Sequence, residues 1–219
     1  MRDENKLKDL SVKEFTRAAD KYESENAGVY NICKKDYPDI LAEIEKEPFT
    51  DLLDAGCGTA PMLSLLTECF PDAHFTGIDL TPKMIEVAKA KNLPNTTLVC
   101  GDCENLPFEA EAFDVIICSQ SFHHYPNPQD FLASVKRCLR SNGRLILRDM
   151  TMGNGFVHWF MNIIEIPVLN LIGFGDVHCY NQKELLKLCE QAGLTLESFE
   201  RRKGFKLHAV IRKKYIAVR

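Results

Sequence analysis

The stretch Leu52 to Ala60, Leu-Leu-Asp-Ala-Gly-Cys-Gly-Thr-Ala, constrains this chain more than any other, because a short apolar run breaks there into a glycine turn. The run fits a buried parallel strand ending at Ala55. Gly56 and Gly58 let the backbone turn tightly and lie against a ligand that a β-carbon would push away. Thr59 or Ala60 is then expected to cap a helix opened by Pro61, whose missing N–H would be unpaired at that position anyway. A small-molecule cofactor is the expected occupant. The turn reads Gly-x-Gly-x-Ala, and the third glycine of the dinucleotide fingerprint has no counterpart, which argues against NAD.

A chain of 219 residues suffices for one sizeable core. Its net charge of −4 offers no broad basic field, so a small substrate is expected rather than nucleic acid. Nine cysteines at irregular spacing, behind a charged N-terminus with no leader-like run, read as free thiols in a reducing, cytoplasmic compartment. Cys100 and Cys103 form a Cys-x-x-Cys pair, but no second pair or histidine follows at zinc spacing, so no metal is expected. The longest apolar stretch, Phe156 to Phe174, is interrupted by His158, Asn162, Glu165, Pro167 and Asn170 and fails as a membrane span.

The first 48 residues read as a helical arm or cap, with Phe15, Ala18, Ala19 and Tyr22 on one face and a second segment from about Tyr30 to Lys46. From Asp51 the chain alternates strand and helix, the signature of a parallel sheet covered on both faces. Strands are expected at Asp51–Ala55, Ala73–Ile78, Thr96–Cys100, Phe113–Ser119 and Arg144–Asp149. Helices are expected at Pro61–Phe70, with Met62, Leu65, Leu66 and Cys69 buried, from Pro82, and from Pro128 to a stop at Asn142 and Gly143. A last helix starts at Asn181 with Glu184 in capping-box position and ends at Gly193. Leu194–Glu200 and Phe205–Ile216 are joined by too short a link for a parallel crossover and must form an antiparallel hairpin.

In such a sheet the polar residues ending the strands converge on the ligand. Asp79 follows Gly56 by 23 residues, the place for a carboxylate that accepts from ribose hydroxyls, and Asp102 follows the third strand. The motifs Leu-Leu-Asp-Ala-Gly-Cys-Gly-Thr, Gly-Ile-Asp-Leu-Thr-Pro-Lys-Met, Gly-Asp-Cys-Glu-Asn-Leu-Pro-Phe and Phe-Asp-Val-Ile together resemble the class I, Rossmann-like S-adenosylmethionine-dependent methyltransferases, over about Leu52 to Leu147. Leu106-Pro107-Phe108 and Ser121-Phe122-His123-His124 are similar to motifs of the ubiquinone and menaquinone C-methyltransferases. The departures are Ala60 for a frequent glycine, Cys103 for a frequent alanine, and Ser141-Asn142-Gly143 without the usual proline.

The resemblance implies a single three-layer α/β domain with a mostly parallel seven-stranded sheet and a C-terminal antiparallel hairpin. Its parts would be an arm at 1–48, a cofactor-binding core at 51–150, an apolar insertion at 151–180, and the last helix and hairpin at 181–219. It also implies that S-adenosylmethionine lies against Gly56, Cys57 and Gly58, with Asp54 near its ammonium, Asp79 on the ribose and Leu80 against the adenine. Asp102 and the Cys103 N–H would meet the adenine edge, and Ser119 would face the methyl group.

Methyl transfer from a sulfonium is an in-line displacement, so positioning an acceptor is the main task, and a base is needed only where the acceptor loses a proton. His124 and His123 are the candidate bases. Tyr22, Tyr125, Trp159 and Phe160 are candidate substrate contacts, for an apolar or aromatic acceptor. The segment Phe156–Phe174 suits a substrate wall, a homodimer contact or ordinary core alike. His158 and His178 lie too far apart in sequence to suggest a metal site without further ligands. Two other readings stand beside methyl transfer: a protein of this fold that holds the cofactor without turnover, and an NAD-dependent oxidoreductase.

Overall fold

A computed structural model describes residues 4–24, 28–153 and 155–213. Its strands are β1 (Asp51–Ala55), β2 (His74–Asp79), β3 (Thr96–Cys100), β4 (Phe113–Ser119), β5 (Leu139–Met150), β6 (Leu194–Arg202) and β7 (Lys206–Lys213). They form one sheet in the order β3-β2-β1-β4-β5-β7-β6, parallel from β3 to β5, with β7 antiparallel to both β5 and β6. Strand order reverses between β1 and β4, and this switch point opens the crevice in which a ligand can sit.

The helices are α1 (Glu4–Ala18), α2 (Gly28–Cys33), α3 (Tyr37–Ile44), α4 (Pro61–Cys69), α5 (Pro82–Ala90), α6 (Pro128–Cys138), α7 (Phe156–Phe160), α8 (Ile166–Leu171) and α9 (Gln182–Ala192). Strands buried on both faces send alternate side chains to opposite layers. Leu53, Ile116, Leu145 and Leu147 pack with Phe131, Leu132 and Val135 of α6 and Leu185 of α9. Leu52, Val115, Ile117 and Ile146 pack with Leu63 and Leu66 of α4, Ile85 of α5, and Ile40 and Ile44 of α3. The three-layer Rossmann-like architecture and the terminal hairpin are as the residues implied. Tyr215 and Ile216, expected at the end of the last strand, lie outside the described residues.

Several local expectations are corrected. Ala60 precedes α4 in a left-handed conformation, φ 61°, with no side-chain cap, and Thr59 instead donates its hydroxyl to Glu23. The buried face of α4 is Met62, Leu63, Leu66 and Thr67, while Cys69 is exposed. Asn142 and Gly143 do not stop α6, which ends at Cys138; they lie inside β5, where the β4–β5 register shifts. A β-carbon on Gly143 would stand 2.9 Å from the Asp114 carbonyl, so close backbone approach demands glycine there. The segment Tyr30–Lys46 is broken at Lys34–Asp36, where Asp36 turns fully inward to accept from Arg148 Nε at 2.9 Å and Lys206 Nζ at 2.7 Å.

Between α7 and α8 the helix continues as a wide, π-type turn over Met161–Glu165. Pro167, within the first turn of α8, has no N–H to give to the preceding turn, which accounts for the widening. Among the described residues no helix is long and apolar enough to cross a membrane.

Candidate functional site

Gly56, at the end of β1, has φ 82°, and a β-carbon there would stand 2.1 Å from Ser121 Oγ, so glycine is required on both conformational and steric grounds. The N–H groups of Gly56 and Cys57 are held by the Ile78 carbonyl at 2.8 and 3.0 Å. This leaves the turn facing Asp79 at the tip of β2. Asp79 Oδ2 accepts from the Gly58 N–H at 2.9 Å and Oδ1 from the Thr81 N–H at 2.8 Å, so both oxygens are fixed and each keeps a lone pair for a ligand. Burial raises its pKa, against the pull of those two backbone donors.

Asp54, on β1, is buried with no cation beside it among the described residues, and burial followed by the charge of Asp79 pushes its pKa up to about 7. Ser119, at the end of β4, buries its hydroxyl without a hydrogen-bond partner among the described residues. Asp102 accepts from the Glu104 N–H at 2.9 Å and from Lys8 of α1 at 2.7 Å.

These groups line adjoining cavities. One is walled by Lys8, Phe15, Gly56, Asp79, Leu80, Asp102 and Cys103, with Tyr125 behind them. The other is walled by Tyr22, Tyr37, Asp54, Cys57, Gly58 and Ser119. Among the described residues the lining carries Asp54, Asp79 and Asp102 against the single cation Lys8, which is itself paired to Asp102 and Glu104. A site of this sign suits a cationic ligand and repels a pyrophosphate, and the Gly58 N–H that would meet a phosphate is already given to Asp79.

A third cavity, of about 210 Å³, adjoins them and is lined by Glu14, Phe15, Tyr22, Gln120, His123, His124, Met150, Phe174 and Asp176. Phe15, Tyr22 and His124 also line the space leading to Gly56 and Asp79, so they stand where the cavities meet. Helix α1 roofs this junction. Its Ser11 donates to the Gly175 carbonyl at 3.3 Å, and its Glu14 accepts from the Gly175 N–H at 3.1 Å.

The two adjacent histidines have opposite electrostatics. His123 is buried, which disfavours its charge, but Asp149 Oδ1 at 2.6 Å from Nδ1 and Asp176 Oδ1 at 3.5 Å from Nε2 raise its pKa to about 9. The His124 ring lies 4.1 Å from it at a 40° tilt and edge-on to Phe15 at 5.2 Å. Burial and the neighbouring His123 charge lower its pKa to about 4. At pH 7 His123 is an imidazolium and His124 a neutral ring.

The structure brings Asp54, Gly56, Cys57, Gly58, Asp79, Leu80, Asp102, Cys103 and Ser119 to the first two cavities, and Tyr22, His123 and His124 to the third. Tyr125 is not at the third cavity; its hydroxyl lies 2.8 Å from Ser121 Oγ and its ring packs on Phe122 and Phe131. Trp159 and Phe160 reach none of these cavities. Both are exposed on the outer face of α7, and of the apolar segment only Phe174 enters the lining of the third cavity.

Sequence reasoning did not single out Lys8, Glu14, Gln120 or Asp176, and had Ser121 only as the first residue of a family-like motif. The signal for Gln120 was its position directly after Ser119 at a strand end. His158 and His178, far apart in sequence, do meet: both imidazoles lie against Glu184, at 3.1 and 3.2 Å.

Residues 53–147 match the family described as "Methyltransferase domain". A phthiotriol/phenolphthiotriol dimycocerosates methyltransferase of Mycobacterium ulcerans is 37% identical over 121 residues, which are 55% of this chain and 45% of that protein. The chain thus spans about half the length of that relative. A demethylmenaquinone methyltransferase of Thermotoga maritima is 28% identical over 184 residues, 80% of this chain and 79% of the relative. The crystal structure of a SAM-dependent methyltransferase from Aquifex aeolicus superposes with a TM-score of 0.66 at 17% identity, covering 92% of this chain and 97% of that one.

Proposed function

We propose that this chain, which carries a class I methyltransferase domain with S-adenosylmethionine as its cofactor, transfers the cofactor's methyl group to an apolar acceptor with a ring-sized head. The observation that carries this reading is the junction of an acidic cavity at the Gly56 turn with one of about 210 Å³ whose open surface is mostly apolar although Glu14, His123, His124 and Asp176 line part of it. A cavity of about 150 Å³ holds one benzene ring, so the space fits a single substituted ring and leaves any tail outside. Acceptors of lipid or quinone kind are named for the relatives, which supports this choice.

The lining fits the cofactor. Asp79 would take the ribose hydroxyls on its free lone pairs, and Asp54 would hold the ammonium of the methionine moiety. Leu80 would pack on the adenine, Asp102 and the Cys103 N–H would meet its edge, and the Ser119 hydroxyl would lie toward the methyl end. Bound there, S-adenosylmethionine supplies a methyl group on a good leaving group.

The chain's own part is largely geometric. Phe15, Tyr22 and Phe174 hold the acceptor and exclude water, and α1 closes over both ligands. Positioning of this kind accounts for roughly 7 to 11 kcal/mol of a barrier in a well-aligned complex. Where the acceptor loses a proton, neutral His124 is the group that takes it. His123, already protonated at neutral pH, instead holds the loop through Asp149 and lends positive charge to the cavity.

The test is incubation with methyl-labelled S-adenosylmethionine and a panel of hydroquinones, phenols and long-chain alcohols. Label in an organic-extractable product, matched by S-adenosylhomocysteine, supports transfer. Tight cofactor binding with no labelled product from any acceptor supports a binding protein instead.

A further inference from the structure

The helical segment from Phe156 through the wide turn to Leu171 is built inside out. Its polar residues face the body: His158 meets Glu184 at 3.1 Å, buried Asn162 donates to the Cys179 carbonyl at 3.1 Å and accepts from its N–H at 2.8 Å, and Asn170 donates to the Asp176 carbonyl at 2.9 Å. Most of its apolar residues face outward, Ile166 being the one that is buried. Phe156 is 74% and Leu171 84% exposed, with Trp159, Phe160, Ile163 and Ile172 exposed between and beside them. Phe156 stacks on Trp159 at 5.7 Å, which makes an aromatic cluster at one end. Water is the wrong solvent for such a face. Glu165 is the one carboxylate in the sequence from Phe156 to Phe174.

The neighbouring surface is basic although the chain's net charge is −4. The end of β6 carries Arg201 and Arg202, and the turn into β7 carries Lys203 and Phe205, which is 58% exposed. Its tip is tied to the start of the apolar segment: the Thr151 N–H donates to the Phe205 carbonyl at 2.7 Å, and a β-carbon on Gly153 would stand 2.8 Å from the Arg201 guanidinium. Arg202 is paired to Glu200 at 2.6 Å, while Arg201 and Lys203 are exposed with no acidic partner among the described residues.

We infer that the outward face of Phe156–Leu171 and the Arg201–Phe205 turn together form a docking surface for an anionic phospholipid bilayer. An apolar, aromatic-bearing helix lying in the interface beside exposed cations is the arrangement that binds such a surface. The helix lies on the bilayer and does not cross it. At its far end Phe174 belongs both to the exposed face and to the lining of the 210 Å³ cavity, so the surface leads to that cavity. Docking itself does not depend on methyl transfer. Only delivery of a lipid-soluble acceptor rests on the function proposed above.

Trp159 is the chain's single tryptophan, so its fluorescence reports on this face alone. The protein is mixed with vesicles of phosphatidylcholine, alone or with an equal part of phosphatidylglycerol, at 0.1 M salt and without cofactor. Expected are a blue shift of the emission and co-sedimentation with the anionic vesicles, both weakened at 0.5 M salt. Arg201→Gln with Lys203→Gln lowers partition about 30-fold, and Phe156→Ser with Leu171→Ser abolishes it, while far-UV circular dichroism and S-adenosylhomocysteine binding stay unchanged. Equal or absent binding to both vesicle types overturns the inference. So does a blue shift that grows with protein concentration in the absence of vesicles, which would make this face a contact between two copies.

Discussion

Cofactor affinity should depend on pH through Asp54. Its carboxyl is buried beside Asp79 and titrates at about 7 in the free protein. An ammonium placed against it favours the charged form and pulls that value down, so binding below pH 7 must expel a proton. With a free-protein pKa of 7 and a complex that stays ionised, affinity falls about 25-fold between pH 7.5 and pH 5.5. The window is bounded above by the ligand's own α-amino group, which titrates near 8. His123, at about 9, and His124, at about 4, titrate outside it.

The assay is calorimetric titration of S-adenosylhomocysteine at half-unit pH steps, in two buffers of different ionisation enthalpy, on the wild type and Asp54→Asn. The wild type should release about 0.9 of a proton at pH 6 and about a quarter of one at pH 7.5, and the variant should bind more weakly with a flat profile. A flat wild-type profile, or the same slope in the variant, refutes the placement of Asp54 against the ammonium.

Other outcomes follow from the same geometry. Asp79→Asn should weaken S-adenosylhomocysteine by roughly 10- to 150-fold for each ribose hydrogen bond lost, read by titration calorimetry. Gly56→Ala puts a methyl group 2.1 Å from Ser121 Oγ at φ 82° and should abolish the ligand-induced rise in Tm. His124→Gln should lower kcat by about 10²- to 10⁴-fold with an acceptor that loses a proton, and full kcat would exclude a base role. His123 has its pKa raised from about 6.5 to about 9, so its stabilising contribution is complete below pH 6.5 and lost as pH rises through 9. That loss is roughly 3 kcal/mol. His123→Gln should therefore lack a fall in Tm of roughly 6 to 12 °C that the wild type shows between pH 6 and 10.

Much of the cofactor side was legible in sequence because it is local. An apolar run cut by glycine places a strand end to the residue, as at Ala55 and Cys100. Asn181 and Glu184 announce a capping box that the structure contains. What was not legible depends on partners distant in the chain. Adjacent histidines look alike in sequence; Asp149 and Asp176, brought from other segments, make His123 an imidazolium, and that charge together with burial keeps His124 neutral. Lys8 meets Asp102 across 94 positions, so the closure by α1 has no local signal. Periodicity shows which residues of Phe156–Leu171 share a face but not which face is inward, and the hydrogen bonds of His158 and Asn162 reverse the usual choice for Trp159 and Phe160. Gly143 reads as a helix stop and serves instead a close strand contact.

The most direct test of the central claim is the crystal structure of the protein with S-adenosylmethionine bound. The account predicts the ribose on Asp79, the ammonium on Asp54, and the sulfonium methyl aimed at the cavity bounded by Phe15, Tyr22 and His124. A cofactor seated with its methyl turned away from that cavity, or held outside the Gly56 turn, would contradict it.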